Sequence, residues 1–505
     1  MSLSPQDEEL NPNPGGSPDT NPTPAPSANG QPPPKPRISV KDEFEPAYDY
    51  AMIEGAGADS GKPPDPDDKE EHVSVFRNRN FMLLWIAQAL SQTAQQTLNI
   101  TLVLYVGKLT NDSPTQTSIV TVCFLLPGVF FSAIAGVFVD RFRKRTTLLI
   151  TNLTRALIVP WLFFMSGLPL PIALPTIFII TLFFSTISQF FNPAEAAIIP
   201  LLVKPHQLTR ANSLFQVTLF ATLFLGTSLL GPLLPGIIGA ENVFLVMSVL
   251  YAVCVVLVWW LPDNEQLAPR EKEQTVWETA RDLFKDVYVA WKFIRTDTQI
   301  WLAIIYLSTV QTVLFTMTAI GIPFVGDKGL RQPPNTIIFV LAPLSIGLGI
   351  AVALVNVLSK PSTRMKVLVR ACAGLGLAMI SVGLVKPIAD LWVVIFTPGV
   401  PIGGPGLIFL LIVLSMPFGF AIGLLNIPSL TILQERSPKV LVGRVFAAYF
   451  TFANGVSIIP ILFAGALGDI FGSIFGPTYG VVPVFFLFGL IIIGVAYYSY
   501  QRGKR

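Results

Sequence analysis

Two ionisable residues, Arg155 and Glu195, stand deep inside long apolar stretches. A charge in hydrocarbon is costly, so such groups pair, line a polar path or carry protons. Arg155 lies about ten residues, roughly 15 Å, from the basic end of its helix, and Glu195 is a similar distance from Lys204. Antiparallel neighbouring helices would bring the two to similar depth. Two chemistries stay open. One is a fixed ion pair that holds two helices together. The other is a pair that opens, so that Glu195 accepts a proton and couples a proton gradient to the movement of another solute.

A second group of residues offers neutral hydrogen bonding. Gln88, Gln92, Gln95, Gln96 and Asn99 follow helical spacing and fall within an arc of about 100°. Ser308, Gln311, Thr312 and Thr316 form a comparable side of a later segment. Ser185, Ser188, Gln189 and Asn192 share a face just before Glu195, and Asn426, Ser429 and Gln434 add a fourth set. Amides are poorly tolerated against lipid, so these stripes should face protein or water. They can line a cavity or bond between helices, the latter being worth about 0.6 kcal/mol per contact. Trp, Phe and Met dominate elsewhere. Such a cavity suits an amphipathic organic molecule better than a small ion or a phosphate, which would call for clustered Arg and Lys.

The elements that must position these groups are transmembrane. The chain has 505 residues, 52% hydrophobic and 13% charged, against about 25% charged in soluble domains. The charge is uneven: residues 1–80 hold 15 of the 31 acids and 7 of the 34 bases. The remainder is therefore about one-tenth charged with a net +11. Residues 1–72, rich in Pro, Gly, Ser, Asn and Asp, are expected to form a disordered cytoplasmic tail. A bilayer needs about 20 apolar residues per helix. Twelve segments qualify: 81–107, 117–139, 146–167, 173–199, 208–231, 242–262, 299–325, 336–358, 367–387, 405–433, 442–468 and 482–500. The expected fold class is an all-α integral membrane protein of twelve transmembrane helices in two six-helix bundles. The bundles span 75–262 and 299–501. Between them, 263–298 is a cytoplasmic linker in which Val276, Ala280, Leu283, Phe284, Val287, Trp291 and Ile294 follow helical spacing, as in an amphipathic surface helix.

Lys and Arg accumulate in cytoplasmic loops. With the tail inside, inner loops and the C-terminus hold 22 bases and outer loops 4. Both termini are therefore placed in the cytoplasm, and an even number of spans follows. The two histidines, His72 and His206, and the three cysteines, each in an apolar run, form no metal-site spacing. No GxxxxGK[ST] loop and no nucleophile–base constellation at membrane depth is present, so an enzyme is not expected.

The junction Gly136-Val-Phe-Val-Asp140-Arg141-Phe-Arg143-Lys144-Arg145-Thr-Thr-Leu148 resembles the major facilitator superfamily signature G-x-L-A-D-R-x-G-R-[RK]-x-x-L. It falls between spans two and three, where that family carries it, with Arg143 replacing the usual glycine. Faint internal similarity supports a duplicated unit: Asn192 precedes Arg210, and Asn426 precedes Arg444, by the same 18 residues. Phe191-Asn-Pro-Ala-Glu195, Leu208-Thr-Arg-Ala-Asn212, Arg155, and Gln434-Glu435 with Gly443-Arg444-Val445 look like the macrolide-efflux and enterobactin-exporter branch of drug:proton antiporters. Gly231-Pro232-Leu-Leu-Pro-Gly236 is similar to the GPxxGG segment of superfamily antiporters, with Pro235 in place of a glycine.

The resemblance implies alternating access about a midplane site, with Gly136, Asp140, Arg141, Lys144 and Arg145 as a conformational latch. It also implies that the first and seventh helices line a central cavity. Gln88, Gln92, Gln95, Asn99, Gln189, Asn192, Gln311, Thr312 and Asn426 are the expected lining. The expected function is a secondary transporter in the bacterial inner membrane, exporting an amphipathic compound against protons as a monomer. The partners are membrane lipid, the small-molecule substrate and protons, with no nucleic acid, cofactor or metal. An importer or lysophospholipid mover of the same fold, and a non-transporting receptor or scaffold, are the alternatives.

Overall fold

The computed structural model describes residues 75–204, 207–262, 291–325, 334–359, 362–396, 404–438, 442–476 and 479–502. The N-terminal tail and residues 276–287 of the linker lie outside the described residues. Every regular element among the described residues is helical. Helix α1 runs Arg79–Leu109, α2 Pro114–Arg141 and α3 Lys144–Ile158, α3 tightening into a 3₁₀ stretch over Val159–Gly167 where Pro160 removes a backbone donor. Helix α4 spans Leu170–Leu202. Helix α5 begins as Leu208–Leu223, passes through a π-helical turn at Phe224–Leu230 and ends as Gly231–Ile238; α6 is Ala240–Trp259.

The second set starts with α7, Thr298–Thr316, which continues through a π-helical turn at Met317–Gly321 into Ile322–Val325. Then follow α8 (Ile338–Leu358), α9 (Arg364–Gly383), a short α10 (Val385–Phe396), α11 (Gly404–Arg436), α12 (Val442–Phe475) and α13 (Val482–Arg502). Helix α10 occupies the start of the Pro/Gly-rich stretch between spans nine and ten.

Eleven of these segments are long and apolar enough to cross a membrane. The expected twelfth, α1, is 31 residues long but does not meet that apolarity, because its amide stripe sits in the middle. It is nonetheless the most embedded element of the first set. It packs against α6, α2, α5 and α4, and Phe81, Ala94, Leu98, Tyr105 and Val106 are fully buried. Asn78 starts it: Oδ1 accepts from the amides of Asn80 and Phe81 at 3.1 and 3.2 Å, while Nδ2 donates to the Leu202 carbonyl at 2.7 Å.

In lipid, helices approach closely where side chains are small. At Gly419 of α11 an added Cβ would lie 1.8 Å from the Leu344 carbonyl oxygen of α8, which makes this the tightest such crossing among the described residues. Helices α9 and α13 also pack together, as do α2 and α4 in the first set. The two sets meet chiefly through α2 against α12, and through the π-helical turn of α5 against α8, where Ser228 and Ser345 bond at 2.7 Å. Of the linker, Trp291 and Ile294 are described: Ile294 is buried, and Trp291 packs on Trp301 of α7 and Phe452 of α12 at 5.6 and 4.9 Å.

Candidate functional site

Helices α1, α3, α4 and α6 enclose one polar cluster in an otherwise apolar bundle. Arg155, near the end of α3, is wholly buried. Its Nη1 donates to Ser91 Oγ of α1 at 3.0 Å, and Ser91 in turn donates to Asn152 Oδ1 at 3.2 Å. The Asn152 amide nitrogen is tied to the Leu148 carbonyl at 3.0 Å. Three rings surround the guanidinium: Phe191 at 4.7 Å, Tyr251 at 5.6 Å and Phe184 at 5.7 Å. Cation–π attraction of this kind strengthens as the cation is desolvated.

Glu195, one turn along α4 from Phe191, is 6% exposed. It lies within electrostatic range of Arg155, yet no ion pair joins them among the described residues. The sequence had left a fixed pair open; the guanidinium instead engages Ser91 and the ring faces. Arg155 Nε and Nη2, Glu195 Oε1 and Tyr251 Oη remain buried without a hydrogen-bond partner among the described residues. An acid and a base, each incompletely hydrogen-bonded, thus share one enclosure without closing on each other.

The amides divide among several environments. Gln88 and Gln92 are buried, while Gln95, Gln96 and Asn99 are half-buried. Gln92 Nε2 donates to Asn192 Oδ1 of α4 at 3.2 Å. Gln96 backs onto α5, where a Cβ at Gly226 would lie 2.5 Å from its own Cβ. Gln88 Oε1 and Asn99 Oδ1 have no partner among the described residues. Asn192 is exposed and Asn426 half-buried.

A second polar cluster gathers where the two sets meet. Gln311 Nε2 of α7 donates to Asn454 Oδ1 of α12 at 3.2 Å, and the hydroxyls of Thr312 and Ser457 bond at 2.7 Å. Asn454 reaches to Gly128 of α2, where an added Cβ would meet its amide nitrogen at 2.9 Å and the Gln189 Oε1 of α4 at 3.7 Å. Gln189, Gln311 and Asn454 therefore converge on one point from three helices. Asn454 and Ser91 were not anticipated. The signal for Asn454 was an amide alone within an apolar span; Ser91 carries no such signal, because serine is common in membrane helices.

The signature residues sit at the α2–α3 junction. The side chains of Gly136, Asp140 and Arg141 lie outside the described residues, and Lys144 opens α3. Arg145 binds the end of α6: Nη2 donates to the Trp259 carbonyl at 2.5 Å and Nε to the Val258 carbonyl at 3.5 Å. Gly231 and Pro232 follow the π-helical turn of α5 and are buried, while Gly236 is exposed. A Cβ at Gly231 would press on Ile100 Cβ at 2.7 Å, so this segment packs on α1.

The described residues thus form a multi-pass helical membrane body with polar groups concentrated inside one bundle and between two. Residues 84–460 match the Major Facilitator Superfamily, and the chain belongs to that family. It is 24% identical over 188 residues to the uncharacterized MFS-type transporter YkuC of Bacillus subtilis (strain 168); the match covers 37% of this chain and 42% of that one. Among solved structures, the nucleoside transporter NupG superposes with a TM-score of 0.62 at 14% identity, covering 84% of this chain and 99% of that one. An auto inhibited POT family peptide transporter superposes with a TM-score of 0.62 at 13% identity, covering 85% and 97%. These likenesses establish the fold.

Proposed function

We propose that this chain exports an uncharged, amphipathic organic compound by alternating access, in exchange for protons, with both termini in the cytoplasm. The observation that carries the coupling is the unclosed pair: Glu195 Oε1 and two Arg155 nitrogens are buried and unpartnered, within electrostatic range of each other. A carboxylate so placed is stabilised by the nearby cation in one state and takes up a proton when that cation withdraws. The substrate would bind at the junction of the sets, where Gln189, Gln311 and Asn454 offer donors and acceptors without net charge. The efflux-type segments around Glu195 and Arg444, and the bias of 22 inner against 4 outer bases, support the direction and the orientation.

The test is transport by the full chain in sealed liposomes carrying a neutral amphipathic dye, with an imposed pH gradient. Dye movement opposite to the proton gradient is expected, and Glu195→Gln should abolish its dependence on that gradient while leaving dye binding intact. Gradient-driven transport by Glu195→Gln equal to the parent overturns the coupling. Dye movement in the same direction as protons overturns the export assignment.

A further inference from the structure

Helix α2 is capped by the other half of the molecule. Its first turn contains no acidic residue and begins with Pro114; the preceding Asp112 turns its carboxylate toward α1, where a Cβ at Gly107 would lie 2.9 Å from Oδ1, so the partly positive end takes a further acceptor from elsewhere. Asp469, near the end of α12, supplies one: Oδ2 accepts from Ser113 Oγ at 2.8 Å and from the Thr115 amide at 3.0 Å. Ser113 is itself the N-cap residue of α2. Asp469 thereby completes a cap across 356 residues of chain.

Two further contacts act on the same turn. Thr117 Oγ1 donates to the Ala319 carbonyl at 2.6 Å, and Ala319 lies in the π-helical turn of α7, where carbonyls are freed from regular pairing. Gly465 lets α12 close on α2: a Cβ there would sit 2.3 Å from Ser118 Oγ and 2.6 Å from the Pro114 carbonyl oxygen. All three contacts lie at the ends of α2, α7 and α12 remote from Arg79, which opens α1, and Arg502, which ends α13. By contrast, the named contacts at the opposite ends of the helices, Arg145 with Trp259, Arg364 with Glu435 and Arg436 with Asp297, each stay within one set.

We infer that Asp469 is the latch of the gate on the side remote from Arg79 and Arg502, holding α12 on α2 in the closed state seen here and releasing α2 when that side opens. The device is independent of substrate, coupling ion and transport direction, and needs only the rocking of two halves. A helix end loses its acceptor when the halves part, so the cap biases the equilibrium toward closure.

The experiment places spin labels at Ile237→Cys on α5 and Ile474→Cys on α12. Both positions are exposed, at 73% and 64%, and Cys123, Cys254 and Cys372 would be replaced by serine. Distances are measured by pulsed electron resonance on the full chain in lipid nanodiscs. Asp469→Ala should move the closed-to-open ratio about fivefold toward open, the effect of losing one N-cap acceptor. Asp469→Asn, whose amide oxygen still accepts, should retain most of the closed population. Gly465→Ala forces α2 and α12 apart sterically and reports what the open distance looks like. A Gly465→Ala sample that shows the longer distance beside an Asp469→Ala sample indistinguishable from the parent overturns the latch.

Discussion

Arg155 Nη1 donates to Ser91 Oγ at 3.0 Å, and this bond is the one side-chain hydrogen bond the buried guanidinium makes among the described residues. The serine passes the interaction on to Asn152 of α3, so α1 and α3 are fastened through a hydroxyl rather than through opposite charges. A hydrogen bond to a charged group is worth about 1.5–3 kcal/mol. Ser91→Ala should lower the stability of the folded chain by about that amount, and Ser91→Thr should restore part of it. Thermal exposure of the buried thiols of Cys254 and Cys372 reports the shift; an unchanged midpoint in Ser91→Ala would remove this role.

Gln311 and Asn454 form a bonded pair from two helices. If both face a substrate, Gln311→Leu and Asn454→Leu should each raise the KM for a transported dye by about tenfold, the worth of one hydrogen bond. Because they are bonded to each other, the double variant should lose less than the product. Strict multiplicativity, or unchanged KM values with lowered stability, assigns the pair to helix packing.

Gly419 and Gly349 make opposite forecasts. A methyl at Gly419 meets the α8 backbone at 1.8 Å, whereas one at Gly349 meets nothing within 4 Å. Gly419→Ala should destabilise by about 1–3 kcal/mol, with Gly349→Ala neutral or mildly stabilising. Thermal midpoints of the two purified variants decide this.

Asp390, on α10, gives a pH signature outside the spans. Partial burial pushes its carboxyl up, but the hydrogen bonds from Lys386 and Tyr479 and the Lys386 charge outweigh that and hold it below the usual carboxylate range. A depressed folded value means stabilisation present above the unfolded value, about 3.9, and lost as pH falls through the folded one. Asp390→Asn should therefore lower the thermal midpoint slightly at neutral pH. The difference should persist to about pH 5 and shrink below about pH 4. A constant difference across that range would show that the carboxylate charge is not involved.

Much of this architecture was legible in advance. All twelve apolar segments fall on helices, and the signature marks the α2–α3 junction, because a bilayer leaves so few choices for the backbone. The partners of Arg155 were not legible. Glu195 was the only opposite charge at its depth, but the guanidinium met Ser91 and three ring faces through the rotation of α1, α4 and α6 about their axes, which spacing along one chain does not encode. Asp469 escaped notice for a related reason. The eleventh expected span ends at residue 468, whereas α12 continues to Phe475, and a carboxylate at a helix end looks like an ordinary solvated residue until the opposing helix is placed.

The amide stripe of α1 also bears on how the chain is made. Helix α1 precedes the other long helices described, and Gln88, Gln92, Gln95, Gln96 and Asn99 make it the least apolar of them. A lone helix of this composition partitions poorly from the translocon into lipid. Two of its amides are met by later helices, Gln92 by Asn192 of α4 and Gln96 by the close face at Gly226 of α5. The amide face of α1 is thus met by helices about a hundred residues further along the chain, so in the folded protein its tolerance of lipid depends on them.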